Sequence, residues 1–112
     1  MLIKNITQNS IIATNARIAD NFVMRLKGLL GVSHLENGGA LVIRPCNSVH
    51  TLGMKFAIDV VFLDRHDKVV KIINNMNAGR LSLCWCSNYV IELPAGVANS
   101  TKLKVGDIIS IL

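Results

Sequence analysis

The residue types able to do chemistry concentrate between Arg44 and Asp64, RPCNSVHTLGMKFAIDVVFLD, where a thiol, an imidazole and a carboxylate share one segment. Three chemistries fit. In the first, Cys46 is a nucleophile, His50 the base that makes its thiolate, and Asp59 or Glu92 the group that orients the imidazole. Cys46 and His50 are four apart and would share a helix face. Pro45 and Gly53 oppose a regular helix, so a turn would have to join them. The plain alternative is a Cys46 that packs as a small apolar residue and a His50 bonded to backbone. In the second chemistry, Cys46, His50 and Asp59 or Glu92 hold zinc or a softer metal. That ligand set is marginal unless Cys84 and Cys86 fold back, so no metal and no cofactor is expected.

The third chemistry is a non-catalytic pocket. Asn47, Ser48, His50 and Thr51 supply donors and acceptors, Met54 and Phe56 an apolar wall, and Glu92 a carboxyl inside an apolar strand. A few polar groups converging in an apolar hollow is the usual form of a small-ligand site. The candidate ligand-binding set is therefore Cys46, Asn47, His50, Thr51, Met54, Asp59 and Glu92, with no catalytic residue assigned. Asp59 lies between Ile58 and Val60 and would be costly if buried alone, so it needs an exposed strand end or a partner; its plain alternative is a carboxylate that caps a neighbouring turn or pairs with Arg44 or Arg25. The alternative for Glu92 is the solvent face of an alternating strand. His34 and His66 fall in loops and read as surface residues.

Composition narrows the function classes. A chain of 112 residues is one domain, 1–112, and its 51% hydrophobic content suffices for one core. Aromatics are 4%, so aliphatic side chains must fill that core. The net charge of +5 is scattered, and stacking partners near Arg80 are limited to Trp85 and Tyr89, which argues against nucleic acid. There is no apolar run of membrane-spanning length and no signal-like start, so no membrane is expected and the location is expected to be cytoplasmic. The odd cysteine count speaks against a disulfide framework. Absent G-x-G-x-x-G, G-x-x-x-x-G-K and G-x-S-x-G patterns make nucleotide hydrolysis and serine-hydrolase chemistry poor fits.

The elements that must position these residues are mostly strands. Leu2–Ile6, Ile11–Ala13, Ala40–Ile43, Phe56–Asp64, Lys68–Asn74, Tyr89–Leu93 and Ile108–Leu112 carry β character. Phe56–Asp64 is apolar on both faces and should be buried from both sides. It pairs with Lys68–Asn74 through an Asp64–Asp67 turn. Asn15–Gly31 reads as helical, with an amphipathic helix near residues 20–28 that Asp20 caps and Gly28 stops. Val97–Leu103 suits one or two helical turns. Cys46–Lys55 and Asn74–Ser87 read as irregular connections. The expected fold is mostly β (α+β): a small single-domain barrel-like sheet of about six or seven short strands with one helix.

The chain also resembles the uncharacterised DUF192 (UPF0127) family. The matching blocks are Arg25-x-x-Gly28-Leu29-Leu30-Gly31, then His50-Thr51-x-Gly53-Met54-x-Phe56-x-Ile58-Asp59-Val60-Val61-Phe62-Leu63-Asp64. Glu92-Leu93-Pro94-Ala95-Gly96 and Leu103-Lys104-x-Gly106-Asp107 follow in order. The resemblance implies a small β-rich barrel-like domain and transfers no activity. Three features depart from it. Leu52-Gly53-Met54-Lys55 stands where many members have an aromatic-Met-Lys-Asn block, His66-Asp67 where many have Asp-Gly, and the export signal of some members is missing. The reading is a small-ligand-binding or accessory domain, leaning away from an enzyme, whose partner is an unidentified small molecule or protein. The alternatives are an enzyme using Cys46/His50 and a protein-interaction module docking through residues 81–89.

Overall fold

The computed structural model describes residues 1–19 and 35–112. The amphipathic helix expected near residues 20–28 lies outside the described residues. The described elements are, in chain order, β1 (Ile3–Asn5), β2 (Ser10–Ala13), β3 (Asn15–Ala19), β4 (Gly39–Ile43), β5 (Ser48–His50), β6 (Ile58–Leu63), β7 (Val69–Met76), β8 (Leu81–Leu83), β9 (Tyr89–Pro94), α1 (Val97–Ser100) and β10 (Ile109–Ile111).

A five-stranded sheet of order β3-β4-β9-β6-β7 forms the centre. Its three middle strands are apolar on both faces, so each must be covered twice. On one face Val42, Val61, Leu63, Ile91 and Leu93 pack against Ile3, Ile12 and Ile109, which belong to a small sheet of order β10-β1-β2. Ala98 of α1 joins that cluster. On the other face Leu41, Ile43, Ile58, Val60, Phe62 and Val90 pack against Val49, Met54 and Met76. Val49 belongs to β5, which pairs antiparallel with β8 as a two-stranded ribbon. Lys71 ties the ribbon down: its Nζ donates to Ser82 Oγ at 2.9 Å and to the Leu83 carbonyl oxygen at 3.1 Å. The same ammonium stands 5.6 Å over the Phe62 ring.

Among the described residues the sheets do not close into a barrel, which corrects the barrel-like expectation. The central sheet is open, with β3 and β7 at its margins, and its faces are buried by separate layers. The strand number is also higher than expected. Asn15–Ala19 is not helical but a strand parallel to β4, in register from Asn15 opposite Gly39 to Ala19 opposite Ile43. The apolar spacing that suggested a helix from Asn15 onward is overridden there by pairing with β4. The segments read as irregular contain β5 and β8, three residues each, too short for their alternation to register.

Two backbone details fix the turns. Gly38 sits at φ 78°, and a β-carbon there would lie 2.6 Å from Thr14 Oγ1, so a side chain at the entry to β4 would be strained and would displace Thr14. In the β6–β7 hairpin, Asp67 takes φ 65°, a conformation that carboxylate and amide side chains tolerate better than others. Its Oδ1 accepts a 2.7 Å bond from the Tyr89 hydroxyl, and the Asp64 carboxylate accepts from the His66 and Lys68 N–H groups. Asp67→Ala loses both the left-handed tolerance and the Tyr89 partner. It should lower the unfolding free energy by about 2 kcal/mol, read by urea denaturation.

Candidate functional site

The two acids of the candidate set sit on adjacent strands, one register step apart. Asp59 in β6 pairs with Leu93 in β9, and Glu92 in β9 pairs with Val60 in β6. Successive side chains of a strand point to opposite faces, so the two carboxyls open on opposite sides of the sheet. They cannot act on one substrate atom.

Asp59 is fully buried, and its partners are backbone donors. Oδ1 accepts from the Asn75 N–H at 2.8 Å, and Oδ2 from the Gly96 and Ala98 N–H groups at 3.0 and 2.9 Å. The last two open α1, whose own capping residue is Gly96 and makes no side-chain bond. Asp59 therefore does from a neighbouring strand what a Ser or Asp cap does from within the chain. The cost of burying its charge is met by charge-assisted bonds, and the expectation that it needs a partner is fulfilled. Asp59→Ala would strand these donors in the interior. A loss of about 3 kcal/mol or more is expected in chemical denaturation, with a smaller loss for Asp59→Asn, which retains one acceptor.

Thr51 is also buried and committed to structure. Its hydroxyl donates to the Asn77 carbonyl oxygen at 2.6 Å and accepts from the Arg80 N–H at 2.9 Å. It pins the β7–β8 connection against the end of β5. Asn47 and His50 are exposed, His50 opposite Leu81 in the ribbon. Cys46 is half-buried, packs against the second cluster, and donates its thiol hydrogen to the Ser48 carbonyl oxygen at 2.9 Å. Met54 is buried in the same cluster. The candidate set thus divides. Cys46 and Met54 belong to the apolar cluster on the Glu92 side of the sheet, Asp59 faces the other side, and Asn47 and His50 face solvent.

Glu92 is the unusual member. It is 3% exposed, in place of the solvent-facing position that an alternating strand would give it. Its neighbours across the strands are Leu41 and Val60. Oε1 is buried without a hydrogen-bond partner among the described residues. Burial in this apolar setting raises the carboxyl from its ordinary value near 4.5 to about 7. The acid is thus held largely protonated below neutrality, able to donate as well as accept.

Sequence reasoning set aside the Cys84/Cys86 pair, and the structure brings those thiols to 3.6 Å. The C-x-C spacing was the available signal. It did not reveal that a turn would direct both sulfurs inward on each other. Among the described residues, no group of three or more His, Cys, Asp or Glu is placed to hold a metal ion. No described helix is long and apolar enough to cross a membrane.

Comparison with known proteins places the chain. The DUF192 family model, described as an uncharacterized ACR, matches residues 3–111. The chain belongs to the DUF192 family. Relatives named UPF0127 protein include one from Pyrococcus horikoshii, 33% identical, with 95% of each chain covered. Another, from Pyrococcus furiosus, is 30% identical over 92% of this chain and 91% of its own length. Among solved structures, a protein of unknown function from Novosphingobium aromaticivorans superposes with a TM-score of 0.83. It covers 98% of this chain and 82% of that one at 15% identity, a likeness of fold.

The raised Glu92 value makes the stability of this DUF192 domain depend on pH. Between about 4.5 and about 7 the folded chain keeps a proton that the unfolded chain has lost. The cost of burying this acid is least below 4.5, where it is neutral folded and unfolded alike, and stability declines as pH rises, by up to about 1.4 kcal/mol per pH unit and about 3 kcal/mol in all. Urea midpoints measured from pH 4.5 to 8 should fall across that window, and Glu92→Gln should flatten the fall.

Proposed function

We propose that this DUF192 protein is a non-catalytic binding domain that takes a small ligand on the sheet face where Glu92 is buried. The observation that carries the reading is the orphaned Oε1: a buried carboxyl oxygen, on a residue only 3% exposed, with no partner among the described residues and set beside Leu41 and Val60. An unpaired polar atom inside an apolar face is costly and is retained where something else uses it. A largely protonated Glu92 can donate one hydrogen bond and accept another. That suits a neutral ligand with a hydroxyl or amide group on an apolar body. Cys46 and Met54 belong to the apolar cluster on the same side of the sheet.

A second reading, a module that docks a protein partner through residues 81–89, is favoured by the 88% exposure of Trp85 together with exposed Leu81 and Leu83. An enzyme built on Cys46 and His50 draws no support from the placement of the two residues, one half-buried and bonded to Ser48, the other exposed.

A thermal-shift screen with metals, sugars, nucleotides and neutral amides tests the leading reading, with Glu92→Leu beside the wild type. Replacing the orphan acid should stabilise the unliganded domain by about 1–3 kcal/mol. A ligand at a hundredfold excess over its Kd should stabilise the wild type by about 2.7 kcal/mol and the variant not at all. Binding that survives Glu92→Leu but vanishes in Trp85→Ala would replace the pocket with the docking surface.

A further inference from the structure

We propose that Cys84 and Cys86 form a dithiol that exchanges with low-molecular-weight disulfides and closes into an intramolecular disulfide around Trp85. Both cysteines are free, and their sulfurs are 3.6 Å apart. The Ser87 N–H donates to the Cys84 carbonyl oxygen at 3.0 Å, which closes the turn Cys84-Trp85-Cys86-Ser87. Two extended residues span at most about 7 Å. The turn shortens that span toward the roughly 4.4–6.8 Å between α-carbons that a disulfide requires. The base of the turn is held by the Cys84 N–H, which donates to the Asn47 carbonyl oxygen at 2.9 Å. The remaining contraction, from 3.6 Å to the bond length of about 2.05 Å, is within reach of side-chain rotation.

The two thiols differ in setting, which orders the reaction. Cys86 is exposed and Cys84 half-buried. Burial pushes the Cys84 thiol up and the Cys86 thiol adds to the rise, while the Lys71 ammonium opposes it. Cys86 is therefore the attacking group and Cys84 the resolving one. The Cys86 thiolate attacks one sulfur of the small disulfide. That S–S bond breaks, the first small thiolate leaves and takes up a proton, and a mixed disulfide remains on Cys86. Cys84, losing its proton to water, attacks Cys86 Sγ, the mixed S–S bond breaks, and the second small thiolate leaves and takes up a proton. The protein dithiol is oxidised by two electrons, and one small disulfide is reduced to two thiols. Cys46 stands outside this exchange, with its thiol hydrogen on the Ser48 carbonyl oxygen.

Trp85, the single tryptophan of the chain, reports the reaction because it is the residue between the two cysteines in sequence. Incubation of the whole chain with excess oxidised glutathione should remove two hydrogens by mass and quench the Trp85 emission. Excess reduced glutathione should reverse both changes. Cys84→Ser should stop at one stable glutathione adduct on Cys86, Cys86→Ser should form no internal disulfide, and Cys46→Ser should behave as wild type. Circular dichroism of each variant confirms that it is folded. Accumulation of glutathione adducts without ring closure in the wild type overturns the proposal. So does a disulfide that includes Cys46.

Discussion

The fold rests on satisfying one carboxylate inside its most apolar strand. β6 is buried along its whole length, and Asp59 interrupts it. An isolated buried charge would cost more than most single interactions return. The structure meets that demand by bringing the backbone of Asn75, Gly96 and Ala98 to the carboxylate. Those donors come from the far end of β7 and from the start of α1. The path of the chain after β9 and the irregularity in the β6–β7 pairing near Ile58 and Val60 both lie beside this one group.

Asp59 and Glu92 show how one register step separates structure from candidate function. Both are acids in strands that are otherwise apolar, and each is almost completely removed from water. Asp59 faces the side where the end of β7 and the start of α1 offer donors. Glu92 faces aliphatic side chains and has an oxygen left over among the described residues. The first arrangement stabilises, and the second costs stability and holds a proton near neutrality. A buried acid with nothing to do for the fold is where a binding role is most economically sought.

The β5–β8 ribbon has two faces of its own. Its inner side contributes Val49 to the apolar cluster, and Lys71 fastens β8 through Ser82 and Leu83. Its outer side carries Leu81 and Leu83, and the turn beyond it presents Trp85 with a cysteine on either side. A short ribbon held at one edge can carry reactive and apolar groups without involving the central sheet, since its exposed side chains contribute little to the core.

By itself the sequence determined the β-rich class, the two-sided burial of Ile58–Leu63, the β6–β7 hairpin and the strands around Ile3, Ile12, Leu41, Ile91 and Ile109. All of these follow from local alternation or from apolar runs between turn residues. It also determined that Asp59 needed a partner, because a charge flanked by Ile58 and Val60 has no local way to be satisfied. Tertiary structure decided the rest. Asn15–Ala19 became a strand because β4 was there to pair with it in parallel, a contact across more than twenty residues that no local period encodes. The sheet stayed open because separate layers, not closure, buried its faces. The seven-residue candidate set came apart because strand geometry sends Asp59 and Glu92 to opposite faces. The Cys84/Cys86 pair came together because a turn, closed by the Ser87 N–H on the Cys84 carbonyl oxygen and anchored to Asn47, folds the chain back between them.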